Sequence, residues 1–508
     1  MKTHLIFGLL AVALLALVIS QSKQRTLVFE DVVRQAGALA AKAYEPVKEV
    51  NSSRLRSLTY DQYRDVRWKE EQTLWRRLGL PFQVKFFMTG HLNKTPVTLY
   101  QVNLDSARPL QFSTDYFDFG PQASHIASTL GINAGYAGFR VHYPLNRRDY
   151  LDEVLVFLGG SYFRAVARDQ AYGISARGLA IDVIPEDSRE EEEFPHFTDF
   201  WLVQPGSTDR RLKIYALLDG PSVSGAYEFV VEPGDVTRFD VRAVLFFRKE
   251  VDQLGIAPLS SMFWYGENTS NTFGGLRPEV HDSDGLLLHN DNDEWVWRPL
   301  SWSKDVQVNT FSANHLKGFG LLQRDRAFDH YQDLEAKYER RPSTWIEPRG
   351  DWGAGLIKLV QFPTKDEYWD NVVAFWQPAR KPQAGEQLEL SYSLFWQPAD
   401  PLPPRMGRAV ATRVDYQDAP YFRIYVVDFA GDDLAGLPPE SQPQVEITAS
   451  NGGVADKIQV QKNTNDNTWR ATFTASTSDL RKPVELRCQL RHNGKPLTET
   501  WTTTWVPR

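Results

Sequence analysis

From about residue 81 onward, apolar and polar residues alternate in short runs that are separated by glycine, proline, asparagine and aspartate. Successive side chains of a β-strand point to opposite faces, so this pattern predicts strands that bury one face. Residues 226–231 and 236–246 flank Pro233-Gly234-Asp235, which predicts a hairpin around a tight turn. Residues 81–396 are therefore predicted to form one large β domain.

Three segments have helical spacing of their apolar residues instead. The first runs from Phe29 to Ala43 and predicts an amphipathic helix near the N-terminus. A second helix is predicted from about Tyr60 to Trp68. Residues 325–338 interrupt the β pattern and predict a helical insertion in the large domain.

A change in composition near residue 400 predicts a domain boundary. Residues 397–404 contain four prolines, so residues 397–407 are predicted to be a semi-rigid linker. Residues 408–508 then alternate strongly, with turn signals at residues 463–467 and at Asn493-Gly494. About seven short strands in roughly 100 residues predict an immunoglobulin-like sandwich.

The N-terminus has the pattern of a secretory signal peptide. Met1 and Lys2 precede an apolar run from Leu5 to Ile19, which is shorter than the roughly 20 residues that span a membrane. Residues 1–22 are predicted to be cleaved as the protein is exported, and a retained membrane anchor is the alternative.

Composition excludes several classes of protein. The single cysteine, Cys488, rules out an intramolecular disulfide framework, and its alternating neighbours predict a buried strand residue. A net charge of -7 argues against a nucleic-acid partner. The chain contains no Gly-x-Ser-x-Gly elbow, phosphate-binding loop or dinucleotide fingerprint, which argues against serine esterases, kinases and dehydrogenases. No cofactor is expected.

Tryptophan placement points to carbohydrate. Nine of the 15 tryptophans lie between residues 264 and 396, several of them beside carboxylates or amides. Such rings stack on the apolar faces of sugars, although they also fill the core of a large sandwich. The residues predicted to contact substrate are Trp264, Trp297, Trp345, Glu347, Trp352, Glu367, Trp369 and Trp376.

Two carboxylates in the same region suggest a reaction. Glycoside hydrolysis needs one protonated carboxyl group and one ionised carboxylate. Asp370 precedes a predicted strand, and burial against Trp369 is expected to raise the pKa of its carboxyl group and keep it protonated. Asp282 lies in a polar loop that is expected to leave it ionised. The alternative is that both aspartates only form turns.

The Asp282 loop also has a metal interpretation. Asp282-Ser-Asp284-Gly285, with Asp291 and Asp293 beyond it, resembles a calcium loop but lacks the third acidic position and the terminal glutamate. No two histidines have a zinc-like spacing with a supporting carboxylate motif. No metal site is therefore predicted.

Several motifs together resemble those of the glucans biosynthesis protein G/D family. They cover essentially the whole mature chain and include Phe117-Asp-Phe-Gly-Pro121, residues 135–146, residues 157–164, Met262-Phe-Trp-Tyr-Gly-Glu267, residues 277–286, residues 341–348 and residues 370–376. The resemblance implies a periplasmic protein of osmoregulated periplasmic glucan biosynthesis. It also implies a galactose-mutarotase-like β-sandwich, residues 23–396, followed by the immunoglobulin-like domain.

The same resemblance implies an activity, that of an inverting endo-β-1,2-glucanase. Asp370 matches the general acid, Asp282 the general base and Tyr338 a participant in a water-mediated proton relay. Glu367 is expected to support Asp370.

Two alternatives are a transglycosylase that branches or cyclises the glucan, and a non-catalytic factor that binds or assembles glucan for an inner-membrane glucosyltransferase. The absence of a twin-arginine motif favours the G subgroup. The oligomeric state is open, a homodimer included.

Overall fold

The computed structural model describes residues 28–50, 53–103, 106–127, 134–184, 191–269, 275–416 and 419–507. The predicted signal peptide, residues 1–22, lies outside these ranges. Among the residues described, no helix has the length and apolar character needed to cross a membrane.

The helices are few and short. They are α1 (Phe29–Ala40), α2 (Ser53–Arg56), α3 (Tyr60–Arg64), α4 (Ser124–Ala127), α5 (Phe328–Tyr331) and α6 (Asp432–Ala435), with 3₁₀ turns at Glu70–Gln72, Arg76–Leu78, Thr114–Tyr116 and Tyr338–Arg340. The predicted N-terminal helix is confirmed as α1. Its apolar side packs on the outer face of a sheet, where Val32 and Ala36 are fully buried.

The other two predicted helices are shorter than expected. The segment after α3 pairs with a distant strand, so Val66–Trp68 is extended rather than helical. Within residues 325–338, the side chains of Asp325 and Asp333 accept backbone N–H groups two or three residues ahead. These local hydrogen bonds compete with helix formation and leave one helical turn and one 3₁₀ turn.

The large region contains 25 strands within the described ranges. They are β1 (Val66–Trp68), β2 (Gln83–Met88), β3 (Thr98–Asn103), β4 (Ser106–Pro109), β5 (Phe117–Phe119), β6 (Tyr136–Tyr143), β7 (Asp152–Leu158), β8 (Tyr162–Ala165), β9 (Ser175–Arg177), β10 (Leu179–Ile181), β11 (His196–Val203), β12 (Leu212–Asp219), β13 (Val223–Glu232), β14 (Thr237–Phe247), β15 (Leu254–Ser261), β16 (Phe263–Tyr265), β17 (Val280–His281), β18 (Gly285–His289), β19 (Trp295–Pro299), β20 (Gln307–Ser312), β21 (Gly318–Leu322), β22 (Ser343–Pro348), β23 (Gly355–Gln361), β24 (Val372–Pro378) and β25 (Gln387–Gln397).

The C-terminal region adds eight strands among its described residues. They are β26 (Arg408–Asp415), β27 (Phe422–Ala430), β28 (Gln444–Ala449), β29 (Val454–Lys462), β30 (Trp469–Ser476), β31 (Val484–His492), β32 (Lys495–Pro496) and β33 (Thr500–Trp505).

Two large sheets enclose the main core. The first has the order β2-β6-β7-β8-β9-β15-β24-β23-β20, with β10 paired to β15. The second runs β28-β31-β33-β19-β18-β21-β22-β25-β14-β13-β12-β11-β3-β4, with β32 paired to β31. Apolar side chains from both sheets fill the space between them. The fold is therefore mainly β, as predicted, and the hairpin around Pro233-Gly234 is confirmed as β13–β14.

The second sheet continues into the C-terminal region. Residues 398–406 contain no helix or strand, but β33 pairs in parallel with β19, where Trp297 lies opposite Trp501. The smaller sandwich is completed by a four-stranded sheet, β26-β27-β30-β29. Its core buries Trp469 and, as predicted from its strand pattern, Cys488. The two sandwiches thus share one continuous sheet. The proline-rich segment had predicted a domain boundary with a linker, and nothing in it indicates this shared sheet.

Candidate functional site

Asp370 lies two residues before β24, a strand of the first large sheet. Its neighbour Asn371 is buried and fixes the position of this segment by side-chain hydrogen bonds: Oδ1 accepts from the N–H of Phe263 (2.9 Å), and Nδ2 donates to the carbonyls of Phe263 (3.0 Å) and Phe362 (2.8 Å). The Asp370 carboxylate is partly exposed and lies 3.4 Å from Nη2 of Arg164 on β8. Asp370 is therefore anchored at its backbone and open to solvent at its carboxylate.

Asp282 lies in the short loop between β17 and β18, where the chain enters the second large sheet. Its N–H donates to the carbonyl of Met262 (2.8 Å), and the next residue, Ser283, shares a 2.6 Å hydrogen bond with Ser261. The Asp282 side chain is buried and forms an ion pair with Arg341. The loop is thus held at both ends, and its carboxylate faces a guanidinium group.

The two aspartates share one electrostatic environment. Burial raises the pKa of Asp282, Arg341 opposes that rise, and the negative charge of Asp370 adds to it. Arg164, which contacts Asp370, also lowers the pKa of Asp282. The fold therefore brings together two carboxylates that are 88 residues apart in the sequence.

Tyr338 belongs to the same cluster. Its hydroxyl donates to Oε2 of Glu367 at 2.6 Å, and the Arg341 guanidinium lies 4.2 Å above its ring. Arg277 contacts the same Glu367 oxygen at 2.5 Å. Burial first, and then the hydrogen bond to Glu367, raise the pKa of Tyr338 well above its ordinary value. The phenol consequently stays protonated, and Arg341 links it to Asp282.

The predicted environments of the two aspartates are reversed. Trp369 is 71% exposed and does not bury Asp370, whereas Asp282 is only 4% exposed. The expectation that Trp369 buries Asp370 is therefore wrong. The reason is that the loop of residues 365–369 turns its aromatic side chains outward, with Tyr368 83% exposed.

The aromatic cluster is divided between surface and core. Trp369 is exposed next to Asp370, and Trp264 is half-buried. Trp297, Trp345 and Trp376 are buried in the two cores, so the prediction that they contact substrate is corrected: they have no free face for a sugar.

Trp352 and Glu347 occupy other positions. Trp352 packs on the rings of Trp376 and Tyr392 and is half-buried there. Glu347 is exposed and accepts a hydrogen bond from the indole of Trp345 at 3.1 Å. Glu367, predicted to support Asp370, contacts Tyr338 and Arg277 instead.

The sequence patterns did not identify several residues that organise the site. Arg164 and Arg341 both stand in segments that carry the family resemblance, which was the available signal. Buried Gln323 was not signalled at all: its Oε1 lies 3.0 Å from Nδ1 of His281, and its Nε2 donates to the carbonyl of Tyr338 at 3.1 Å. Only the fold brings this residue between the Asp282 loop and Tyr338.

The carboxylates of the Asp282 loop are engaged in contacts unlike those of a calcium loop. Asp282 faces Arg341, and one oxygen of Asp284 accepts the backbone N–H groups of Arg324 and Asp325. A separate group of potential metal ligands, Glu279, Asp325 and His330, has ligand atoms within 4.8 Å of one another. These side chains are already occupied by hydrogen bonds, Glu279 to His281 and Asp325 to His330.

A mainly β protein with two sandwiches on one shared sheet, and with two aspartates that each pair with an arginine near an exposed tryptophan, has the features of a carbohydrate-handling protein. The family model described as "Periplasmic glucan biosynthesis protein, MdoG" matches residues 27–505. The chain belongs to this family, and its role lies in the biosynthesis of periplasmic glucans.

Curated relatives agree over nearly the whole length. "Glucans biosynthesis protein G" of Ralstonia nicotianae is 45% identical over 507 residues, covering 97% of this chain and 98% of that protein. Proteins of the same name from Pseudomonas paraeruginosa and Serratia proteamaculans are each 40% identical, covering 93% of this chain and 91% and 92% of their own lengths. The family description agrees with the predicted periplasmic location.

Proposed function

We propose that this protein hydrolyses the β-1,2-glucan backbone as an inverting endo-glucanase, with Asp370 as general acid and Asp282 as general base. The observation that carries the proposal is the meeting of these two aspartates from opposite sheets, one carboxylate open to solvent and the other buried against Arg341. Inverting hydrolysis uses two carboxyl groups in such unequal roles.

Asp370 is suited to act on the leaving oxygen. Its side chain is partly exposed, and Trp369 beside it offers a face on which a glucosyl ring can stack. Arg164 neutralises the carboxylate that forms once the proton has been given to the leaving oxygen. The three hydrogen bonds made by the Asn371 side chain keep the acid in place throughout.

Asp282 is suited to accept a proton from the attacking water. Burial raises the pKa of its carboxyl group and so makes it a stronger base, while Arg341 favours its ionised form. Asp282 and Tyr338 are both buried, so the proton reaches Asp282 from the attacking water through a relay. The Tyr338 hydroxyl supplies the last step of that relay: its oxygen takes up a proton handed on by water, while its own proton, released from the hydrogen bond to Glu367, passes to the Asp282 carboxylate.

The test is incubation of the purified protein with linear β-1,2-glucan while new reducing ends are counted. We expect release by the parent and a loss of roughly 10³-fold in Asp370→Asn. Asp252→Asn is the control, because Asp252 is partly exposed and pairs with Lys381. Absence of release by the parent, or unchanged release by Asp370→Asn, contradicts hydrolysis.

Two other functions predict different products. A transglycosylase joins the cleaved end to a sugar hydroxyl, so branched or cyclic products appear in mass spectra without new reducing ends. A binding factor for a membrane glucosyltransferase retains glucan without cleaving it, and the exposed Trp369 serves that role equally well. The same incubation, with binding measured in parallel, separates the three.

A further inference from the structure

Arg324 is a buried cation at the junction of the two sandwiches. It follows β21, and its side chain is 4% exposed. Its guanidinium forms a bidentate pair with Glu499 (2.6 and 2.9 Å), an ion pair with Asp400 (2.9 Å) and a stack 3.6 Å from the ring of Trp297. Glu499 is itself fully buried, so the C-terminal sandwich supplies one of the two carboxylates that compensate this arginine.

The backbone of the same residue holds the Asp282 loop. The N–H groups of Arg324 and Asp325 both donate to one carboxylate oxygen of Asp284, at 3.0 Å for Asp325. The N–H of Asp284 in turn donates to the carbonyl of Leu322 at 2.7 Å. Since Asp284 is two residues after Asp282, these bonds determine where the base loop lies.

The residue before Arg324 reaches the other side of the site. Gln323 is 1% exposed, and its Nε2 donates to the carbonyls of both His281 and Tyr338 at 3.1 Å. The segment 322–325 therefore contacts the residue preceding Asp282, the residue two positions after it, and the backbone of Tyr338. A displacement of Arg324 would move all three.

The ion pair is suited to hold that segment in one position. A bidentate pair between a guanidinium and a carboxylate defines direction as well as distance. Both partners are buried, so breaking the pair would leave an uncompensated charge in the core, and the arrangement strongly resists displacement. Glu499 also accepts the N–H of Ala409 at 2.9 Å, which ties it to the start of β26.

We propose that Glu499 and Arg324 are positioning residues, through which the C-terminal sandwich holds the Asp282 loop and Tyr338 in their working arrangement. Neither residue touches the reacting atoms. The consequence for turnover rests on the proposed hydrolysis, but the ordering of the loop does not.

The first test measures the loop directly in the full-length protein. Hydrogen–deuterium exchange is followed in peptides that span residues 280–286 and 320–326. In Glu499→Gln we expect exchange about tenfold faster than in the parent, because the loop opens more often. Glu499→Asp keeps the negative charge and serves as a second variant should Glu499→Gln not fold. It is expected to give an intermediate exchange rate.

The matched control removes a different ion pair between the same two regions. Glu485 pairs with the buried Arg298, whose side chain also donates to Thr502 and Thr504; Arg298 meets the measured segment through its backbone, opposite Leu286 in the β18–β19 pair. Glu485→Gln should leave exchange of the loop at the parent rate. Equal acceleration in both variants, or parent-like exchange in Glu499→Gln, would overturn the proposal.

Kinetics then separate positioning from binding. With linear β-1,2-glucan we expect kcat of Glu499→Gln to fall about tenfold while KM changes less than about twofold. A fall in kcat of the same size in Glu485→Gln would mean that docking of the C-terminal region in general, and not this pair, matters. If the parent cleaves no glucan, the proposed function fails, and the exchange measurements still decide the positioning role.

Discussion

The hydroxyl of Tyr338 donates to Oε2 of Glu367 at 2.6 Å, and Arg277 contacts the same oxygen at 2.5 Å. The carboxylate therefore has a cation on one side and a neutral phenol on the other. Arg277 neutralises the charge of Glu367, and Glu367 fixes the direction of the Tyr338 O–H bond. A proton relay to Asp282 requires this O–H bond to turn from Glu367 towards the Asp282 carboxylate as the proton is passed on.

Replacing Tyr338 with phenylalanine should remove the relay and leave the packing intact. We expect kcat on linear β-1,2-glucan to fall by about 10²-fold with little change in KM, because only proton transfer is affected. Tyr265→Phe is the matched control, since the Tyr265 hydroxyl donates to the backbone carbonyl of Arg277. Equal activity of Tyr338→Phe and the parent would exclude the relay.

Removing Arg341 should change the pH dependence of the reaction. Burial raises the pKa of Asp282 and Arg341 opposes it, so Arg341→Met raises the pKa further. A base must be ionised to act, hence the acidic limb of the pH–kcat profile moves to higher pH. The measurement is the profile of the variant between about pH 4 and 8; an unmoved limb would show that Asp282 is not the base.

The same substitution should lower stability. Leaving Asp282 buried without its cation is expected to reduce the free energy of unfolding at neutral pH by about 3 kcal/mol. Arg341→Met combined with Asp282→Asn removes both charges and should recover part of that loss in chemical denaturation. Lack of recovery would mean that Arg341 contributes through packing on Tyr338 instead.

His281 should make stability depend on pH. Burial alone lowers its pKa, but Asp284 and Glu279 raise the pKa to about 9, above the value of about 6.5 in an unfolded chain. The imidazolium is therefore stabilising: its contribution is complete below about pH 6.5 and is lost as pH rises through about 9. By linkage the loss amounts to about 3 kcal/mol.

The measurement is the free energy of unfolding at several pH values from about 6 to 10. His281→Gln should unfold more easily at pH 6 and should show a smaller decline across this window than the parent. His315→Gln is the control, because His315 is exposed and pairs with Asp351 at the surface. An equal decline in His281→Gln and the parent would assign the pH dependence to other groups.

The tryptophans should separate into two classes. Trp369→Ala should weaken glucan binding by about tenfold with little effect on stability, because the ring is exposed and has a free face for stacking. Trp376→Ala should reduce the free energy of unfolding by about 3–5 kcal/mol, since it leaves a cavity in the main core. Both variants are measured for glucan binding by isothermal titration and for stability by denaturant unfolding. Unchanged binding in Trp369→Ala would show that Trp369 does not contact the glucan.

Local patterns were sufficient for the strands and hairpins. Alternation of apolar and polar residues predicted β13 and β14 because each strand needs only one face to be buried, and Asn493-Gly494 predicted a turn because both residues adopt positive φ there. The helical spacing of residues 325–338 predicted a longer helix than the structure contains. The side chains of Asp325 and Asp333 accept backbone N–H groups and so form local turns, which the spacing of apolar residues does not indicate.

The residue types of the site were also readable in the sequence, through Asp282, Asp370 and Tyr338 and the motifs around them. The environments of these residues could not be read from the sequence. Burial of Asp282, exposure of Trp369 and the placement of Gln323 between two loops follow from how the two sheets pack. Desolvation and charge pairing depend on every group within several ångströms, and most of those groups are distant along the chain. The sequence thus specified which residue types the candidate site contains, and the tertiary structure decided which carboxylate is buried, which tryptophan is exposed and how the C-terminal sandwich reaches the site.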